Sequence, residues 1–469
     1  MSAQSSPSIS ALTSPAFSLR SDVPTSARRT CEANKNRHQF KSERQGVQHH
    51  HPRGGESQMT TSAPQHDIDV AGTDPALNCP RTEDYLPWQD EQLRVNPYPF
   101  YARALREAPV SLDWDGAYVL TKYEDLMHYG RLPSVVIEPE WAEAGAWDIL
   151  KDMALGRDEP DHTRLKRMTG KWLTPKKIKE WLKITEEIAD ELLDEIGEDG
   201  LVDGSDLAVE VGHRTICRLM QIPEDGAQEL RREMRNAMYV LSSARNQSDR
   251  DQSVEAHVYM QGRVKEHIEY KRANPGDGLL DDILRLQDNG EMSEAEAFAT
   301  AVFFFTVGHM DASYLMCSGL QLFTQKPEIF DAFRANPDVR QAIVTELVRY
   351  DAPEPVITRS TTEDLTIRGI HVPAGSRLRL MLGAANHDPD VYDNPDDFDY
   401  TRPPGQSRSM TFSFGSHSCQ GKLLAEGEIR VLWERIAARY SRIELAGEPT
   451  LNNTDASRHY YTLPLRLCR

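Results

Sequence analysis

Hydrophobic and polar positions divide the chain into a long helical body and a few short strands. Apolar residues recur with a helical period over 175–197, 255–272 and 293–325, which predicts three long helices. Short alternating segments occur at 117–122 and within 365–380, where Gly and Pro mark turns, so strands are expected there. The pattern therefore predicts a mainly α fold with a small β part.

The longest apolar segment begins at a capping box and carries polar residues near its middle. Ser293 is the expected N-cap, and Glu296 stands three residues later. The residues that follow are apolar on nearly every face, so this helix is expected to be buried. Gly308, His309 and Asp311 interrupt it. Since a buried carboxylate without a partner is costly, the cluster indicates either a helix kink or a functional site.

The first 80 residues differ from the rest in composition. They are rich in Ser, Gln, His, Thr and Pro and hold few large apolar residues, which predicts a disordered N-terminal extension over 1–80. The extension faintly resembles an organelle transit peptide, and a start at Met59 is the alternative that we favour. Residues 81–469 are uniform in composition, so one large domain is expected there.

Charge and apolar content exclude several classes of protein. The chain has 469 residues, with 54 Lys and Arg against 73 Asp and Glu, and the net charge of −19 argues against a nucleic-acid binder. No window holds the ~18 apolar residues of a transmembrane helix, and the N-terminus lacks the apolar core of a secretory signal. The six cysteines stand singly, which suits a reducing compartment, so we expect a cytoplasmic protein.

One cysteine, Cys419, stands in an unusual segment. Residues 412–421 read FSFGSHSCQG, and an amphipathic helical pattern follows. A thiolate just before a helix is stabilised by amide N–H groups and the helix dipole, and glycines let the backbone approach a large flat group. These features suit a thiolate ligand to haem iron; a glycine turn with a buried cysteine is the alternative.

The segment resembles the haem-binding signature FxxGxxxCxG of the cytochrome P-450 family, whose fixed positions correspond to Phe412, Gly415, Cys419 and Gly421. Further segments follow the family's order: NPYPFYARALREAP at 96–109, DEPDHTRLKR at 158–167, and the ExxR pair Glu346 and Arg349 with Arg402. The resemblance covers 81–469. It implies the cytochrome P-450 fold in a single large domain, with haem b (iron protoporphyrin IX) as the cofactor.

The resemblance also implies roles for individual residues. Cys419 would be the metal ligand on the haem iron. The cofactor-binding residues would be Cys419, His162, Lys166, Arg359, His417, Phe412 and Gly415. The substrate contacts would be Val307, Glu354, Val356 and Tyr460. Glu354 stands where an apolar residue is common, so we expect a polar or nitrogen-bearing substrate, unless Glu354 points to solvent or to a neighbouring Arg.

The distal helix departs from the family pattern, in which Thr follows an acid. Aligned on Asp311, the Thr position holds Ala312, and His309 stands where Gly is usual. The candidate catalytic residues are Asp311, Ser313 and His309. Ser313 is a possible substitute hydroxyl, although one residue along a helix turns a side chain by ~100°.

These residues lead us to expect a haem-thiolate monooxygenase of secondary metabolism. It would oxidise a small aromatic or nitrogen-containing molecule with dioxygen and two electrons from a ferredoxin or flavodoxin-type donor with its reductase. We expect a monomer that docks its donor near Lys422, with no nucleic-acid or membrane partner. One alternative is a coupling or peroxide-using oxidase on the same fold, which the missing Thr favours. The other is a haem-free domain that recruits a carrier protein and would not need Cys419.

Overall fold

The computed structural model describes residues 79–137, 148–238, 247–452 and 457–469. The extension predicted over 1–80 therefore lies outside the described residues, apart from its last two. The described helices are α1 Glu91–Val95, α2 Tyr98–Glu107, α3 Tyr123–Tyr129, α4 Asp161–Gly170, α5 Pro175–Asp194, α6 Gly204–Met220, α7 Ala227–Ala237, α8 Gln247–Ala273, α9 Leu279–Asp288, α10 Glu294–Gln325, α11 Pro327–Ala335, α12 Arg340–Tyr350, α13 Leu382–Ala385 and α14 Lys422–Arg439.

The strands are short and form small sheets beside the helices. They are β1 Val110–Leu112, β2 Tyr118–Leu120, β3 Val135–Val136, β4 Leu201–Asp203, β5 Ile357–Thr361, β6 Leu365–Ile367, β7 Ile370–Val372, β8 Arg377–Leu380, β9 Arg442–Leu445, β10 Thr450–Leu451, β11 Tyr460–Thr462 and β12 Pro464–Cys468. The largest sheet has the order β1-β2-β8-β5-β3, in which only the β2–β8 pair is parallel. The mainly α fold with a small β part is confirmed. Within the described residues, no helix combines the length and apolarity needed to cross a membrane.

The central helix α10 begins at the predicted capping box. The Ser293 hydroxyl accepts a hydrogen bond from the Glu296 amide at 3.2 Å, and the Glu296 carboxylate accepts one from the Ser293 amide at 2.9 Å. The helix continues without a break through Gly308 and Asp311. A Cβ on Gly308 would lie 3.3 Å from Ile216 Cδ1 of α6, so this glycine allows α6 to pack closely against α10.

A second glycine of α10 fixes the position of α14. A Cβ on Gly319 would lie 1.8 Å from the Trp433 ring, so only glycine admits the indole there. Trp433 is fully buried, and its Nε1 donates to the carbonyl of Met316 at 3.2 Å. The ring also meets Phe323 edge-on, with the centroids 4.9 Å apart. This contact seats α14, which begins just after Cys419, against the helix that carries Asp311.

A buried charge cluster holds the chain that leads from α12 to the cysteine segment. Arg349 is fully buried and donates from Nε to Glu346 at 2.9 Å, and Arg402 donates to the same carboxylate at 3.0 Å. Arg349 also donates to the carbonyl of Asn386 at 2.7 Å. Because each charge has its partners, the cluster can stay buried and tie these segments together.

We predict opposite effects for the same substitution at two helical glycines. Gly319→Ala would force the added methyl into the Trp433 ring and should lower the free energy of unfolding by about 1–3 kcal/mol. Gly262→Ala in α8 meets open space and should raise it by about 0.5–1 kcal/mol. Urea unfolding followed by circular dichroism measures both. Equal shifts in one direction would contradict the close contact at Gly319.

Candidate active site

The cysteine segment is a tight loop that ends where α14 begins. The Cys419 amide donates to the carbonyl of Phe412 at 2.8 Å, and Gly415 has a φ of +68°, which favours glycine. A Cβ on Gly421 would lie 3.6 Å from the Cys419 sulfur, so glycine keeps that side of the thiol open. The loop therefore presents a sulfur atom at the start of a helix, with little side-chain bulk around it.

The Cys419 thiol is accessible and lies near enough to Asp311 and Glu354 for their charges to act on it, and we call the space between them the cleft. Its side chain is accessible, yet burial among protein atoms is the main cause of its raised pKa. A hydrogen bond from the Gly421 amide and the charge of Lys166 lower the pKa, while Asp311 and Glu354 raise it. The neutral thiol is therefore favoured until a positive charge, such as a metal ion, stabilises the thiolate.

A group of basic side chains lies beside the loop, where Asp158 and Glu159 are the acids that act on it. The ring centroids of His162 and His417 are 3.8 Å apart. Burial, aided by the charges of His162, Arg359 and Lys166, lowers the pKa of His417 to about 3. Burial also lowers the pKa of Arg359 to about 10, and Asp158 is the one carboxylate that offsets it. Such a group suits a ligand that brings its own carboxylates.

Two of these basic residues already brace the loop. Lys166 Nζ donates to the carbonyl oxygens of Ser416 and Ser418, the latter at 2.7 Å. The ring nitrogens of His162 lie 2.8 Å from the carbonyl of Ala154 and 3.0 Å from that of Ser416. The structure thus places both residues on backbone carbonyls, and their assignment to cofactor carboxylates stays a prediction. Arg359 donates only to its neighbour's carbonyl and is better placed for that role among these residues.

The donor set fits an iron porphyrin with two carboxylate arms. Cys419 offers one sulfur ligand, and Arg359 and His417 offer buried positive or hydrogen-bonding groups near it. Within the described residues, no three His, Cys, Asp or Glu side chains converge as metal ligands. A metal at Cys419 would therefore bring most of its ligands with it, as haem does.

Across the cleft, α10 presents an apolar residue and an acid one turn apart. Val307 is 38% exposed although the helix around it is largely buried. Asp311 Oδ1 is buried and has no hydrogen-bond partner. Burial raises the pKa of Asp311, and repulsion from Asp311 together with burial raises the pKa of Glu354, in the loop between α12 and β5. The two carboxyl groups are therefore neighbours that disfavour each other's ionisation.

The other predicted distal residues lie in different surroundings. The Ser313 hydroxyl donates to the carbonyl of Ala208 in α6 at 3.0 Å, so its hydrogen bond is directed to that helix. The side chain of His309 lies outside the described residues. The catalytic roles of Ser313 and His309 stay predictions. Ala312, at the position where Thr was expected, is buried and offers no hydroxyl.

Two further predicted substrate residues, Val356 and Tyr460, lie in different parts of the structure. Val356 is half-buried and packs on the cluster that includes Leu86 and Tyr101. Tyr460 lines a pocket of about 700 Å³ with Arg458 and Asp351, so the structure places it in a second pocket. Its assignment as a substrate contact stays a prediction.

Two aromatic residues near the carboxyl pair were not selected as site residues from the sequence. Tyr314 and His459 stack with ring centroids 3.9 Å apart and an interplanar angle of 4°. Asp311 and Glu354 both act on Tyr314, whose pKa is raised, chiefly by burial. Tyr314 follows Asp311 by three residues, which puts both near one helix face, so the helical period could have identified it.

Comparisons with known proteins agree with this geometry. A sequence model of the family described as Cytochrome P450 matches residues 233–457. Vitamin D(3) 25-hydroxylase of Pseudonocardia autotrophica is 30% identical over 366 residues, or 75% of this chain and 88% of that protein. The 6-deoxyerythronolide B hydroxylase of Saccharopolyspora erythraea is 30% identical over 291 residues, or 61% of this chain and 70% of that protein. The crystal structure of CalO2 has a TM-score of 0.74 at 26% identity, covering 81% of this chain and 98% of that one.

The chain belongs to the cytochrome P450 family. This confirms the resemblance seen in the cysteine segment, together with the fold, the haem b cofactor and the monooxygenase class. The substrate, the electron donor and the roles of individual residues are separate questions.

We predict that Arg359 is needed to retain haem. Arg359→Ala would remove a buried cation beside the loop, and hydrogen bonds to charged groups are worth about 1.5–3 kcal/mol, so haem loss should be at least ~10-fold faster. Haem transfer to an excess of a haem-scavenging protein, followed at the Soret band, measures this. Arg442→Ala, in an exposed ion pair of β9, is the control and should lose haem at the wild-type rate. Equal rates for both variants would exclude Arg359 from haem retention.

We predict that Glu354 destabilises the fold as the pH rises. Its pKa in the folded chain lies above the unfolded value of about 4.3, so the folded state binds more protons between the two pKa values. Stability falls with rising pH through this window. Glu354→Gln should therefore raise the melting temperature over wild type more at about pH 8 than at about pH 5. Glu363→Gln, at an exposed turn, should show no such trend. A difference independent of pH for Glu354→Gln would contradict its burial.

Proposed function

We propose that this monooxygenase oxidises a small organic molecule of the secondary-metabolite type, aromatic or nitrogen-containing, with dioxygen and two electrons from a separate ferredoxin or flavodoxin-type protein with its reductase. The observation that carries the proposal is that the Cys419 thiol and the carboxyl groups of Asp311 and Glu354 act on one another across the same cleft. The cleft thus has a metal-ligating wall and a polar wall. The hydroxylase of 6-deoxyerythronolide B among the similar proteins supports a substrate of this type.

The cysteine side of the cleft holds the cofactor in this proposal. Haem bound at Cys419 supplies the redox chemistry with dioxygen. Cys419 would be the thiolate ligand of the iron, and the amide of Gly421 stabilises its charge. Arg359 and His417 hold the two carboxylates, while Phe412 and Gly415 shape the loop so that the sulfur stays accessible.

The α10 side of the cleft orients the substrate and holds a proton. Val307 offers an exposed apolar surface that contacts substrate and excludes water. Val356, in the loop before β5, stays a predicted substrate contact, and its side chain packs beside Leu86 and Tyr101. The pKa of Asp311 is raised by burial, so this carboxyl can carry a proton near neutral pH and release it to a bound group. A role for Ser313 would require its hydroxyl to leave the carbonyl of Ala208.

The electron donor is proposed to dock where α14 begins. Lys422 is exposed there, and its neighbour Leu423 is 51% exposed, which is unusual for a large apolar side chain. Lys166 and the loop carbonyls it binds lie between this surface and the thiol. A basic residue beside an apolar one suits a transient interface with an acidic partner.

A second candidate function is a peroxide-using or coupling oxidase on the same fold. Ala312 favours it, because the hydroxyl that usually helps to deliver protons is missing from that position. Product formed with peroxide alone, at a rate that matches turnover with an electron donor, would support the oxidase. Product that requires the donor and dioxygen would support the monooxygenase.

We predict that Cys419 ligates the haem iron. The reduced wild-type protein exposed to carbon monoxide should show the far-red-shifted Soret band of a thiolate complex, and Cys419→Ser should lose it. Cys468→Ser, at a partly exposed cysteine in β12, is the control and should keep the band. Absence of any haem band in wild type made with ample haem would overturn the proposal and favour the haem-free recruitment domain.

A further inference from the structure

Asp311 and Glu354 form a pair of carboxyl groups for which the described residues supply no ion-pair partner. They come from different elements, α10 and the loop between α12 and β5, and are near enough to repel each other. Asp311 Oδ1 is buried and accepts no hydrogen bond. Throughout the described ranges, no Lys or Arg forms an ion pair with either carboxylate. Two half-buried acids close together without a cation are costly, so they are expected to persist only where a ligand uses them.

The groups that face the pair are neutral or acidic. Tyr314 and Cys419 both feel the charge of the two carboxylates, and the raised pKa of Tyr314 keeps its phenol neutral near pH 7. His459, stacked on Tyr314, has a pKa lowered to about 3, chiefly by burial, and carries no charge there. Arg231 acts on Tyr314 but pairs with Asp206 instead. The described surroundings therefore leave the negative charge of the pair uncompensated.

The pair borders the same cleft as the exposed side chain of Val307. Val307 and Asp311 are four residues apart in α10 and so lie on one helix face. Val307 is 38% exposed, which shows that this face meets open space. The cleft thus offers apolar surface beside a concentrated negative charge.

We propose that Asp311 and Glu354 together bind an organic ammonium group of the substrate, whose apolar remainder contacts Val307. The inference rests on the proposed function and narrows its substrate class to amine-bearing molecules. The ammonium supplies the positive charge that the pair lacks. Near neutral pH the two acids share a proton, because repulsion and burial oppose double ionisation, and the bound cation releases it to solvent.

The test uses the haem-loaded protein and two probes of equal shape. Benzyltrimethylammonium carries a fixed positive charge and has no lone pair with which to coordinate iron; neopentylbenzene is its uncharged carbon isostere. Calorimetry at about pH 8 should find the cation bound at least ~10-fold more tightly than the isostere. The preference should shrink as the pH is lowered toward about 5, since both acids then become protonated. Titrations in two buffers of different ionisation enthalpy should show proton release on cation binding near pH 7.

Three variants of the pair and one control variant show whether these two carboxyl groups cause the cation preference. Glu354→Gln and Asp311→Asn should each reduce the cation preference to within about 2-fold and abolish proton release. Glu354→Asp keeps the charge and should keep much of the preference, which separates loss of charge from damage to the fold. Glu363→Gln, at an exposed turn, should bind both probes as wild type does.

Two results would overturn the inference. One is equal binding of the two probes by wild-type protein that shows the thiolate carbon monoxide spectrum, which would leave the proposed monooxygenase intact. The other is a cation preference unchanged in both Glu354→Gln and Asp311→Asn, with altered product yield alone, which would assign the pair to proton delivery. Failure of the carbon monoxide spectrum, in contrast, would overturn the proposed function whatever the probes bind.

Discussion

The close approach of α10 and α14 is the constraint on which the site depends. Gly319 leaves room for the indole of Trp433, and an added Cβ would lie 1.8 Å from that ring. Cys419 lies just before α14, and Asp311 lies about two turns before Gly319 in α10. One buried contact therefore sets the separation between the thiol and the carboxyl pair. Because protein interiors are densely packed, a change at Gly319 would be transmitted to both walls of the cleft.

The cleft has basic side chains on one wall and acidic side chains on the other. This arrangement costs free energy when no ligand is bound. Arg359 and His417 are half-buried near the thiol, and Asp311 and Glu354 are half-buried on the other wall with no ion pair to a described cation. Each set carries a desolvation cost that a ligand of opposite charge would relieve. The carboxylates of haem do so on one wall, and the proposed ammonium group would do so on the other. Binding and folding stability are then linked, since a ligand that binds only the folded state stabilises it.

Local features of the site could be predicted from the sequence, and long-range contacts could not. The capping box at Ser293 involves residues three apart, so it follows from spacing, and the same holds for the glycines around Cys419. Lys166 was assigned to cofactor carboxylates by its position in a motif, yet it binds the carbonyls of Ser416 and Ser418. The path of the cysteine loop decides that contact, and helix spacing contains no information about it.

The different surroundings of the neighbouring residues His459 and Tyr460 could not be predicted from the sequence either. Neighbouring side chains along an extended chain point to opposite faces, so His459 stacks on Tyr314 while Tyr460 lines the pocket with Arg458 and Asp351. The sequence alone identified the Cys419 sulfur as the ligating atom, because Cys419 and its glycines are contiguous. It also identified Asp311 as the acid in the distal helix. Only the tertiary structure brought Glu354 beside Asp311, since these residues are distant in the chain and meet through the packing of α10 against the loop before β5. Their repulsion, and with it the proposed affinity for a cation, exists only in the folded chain.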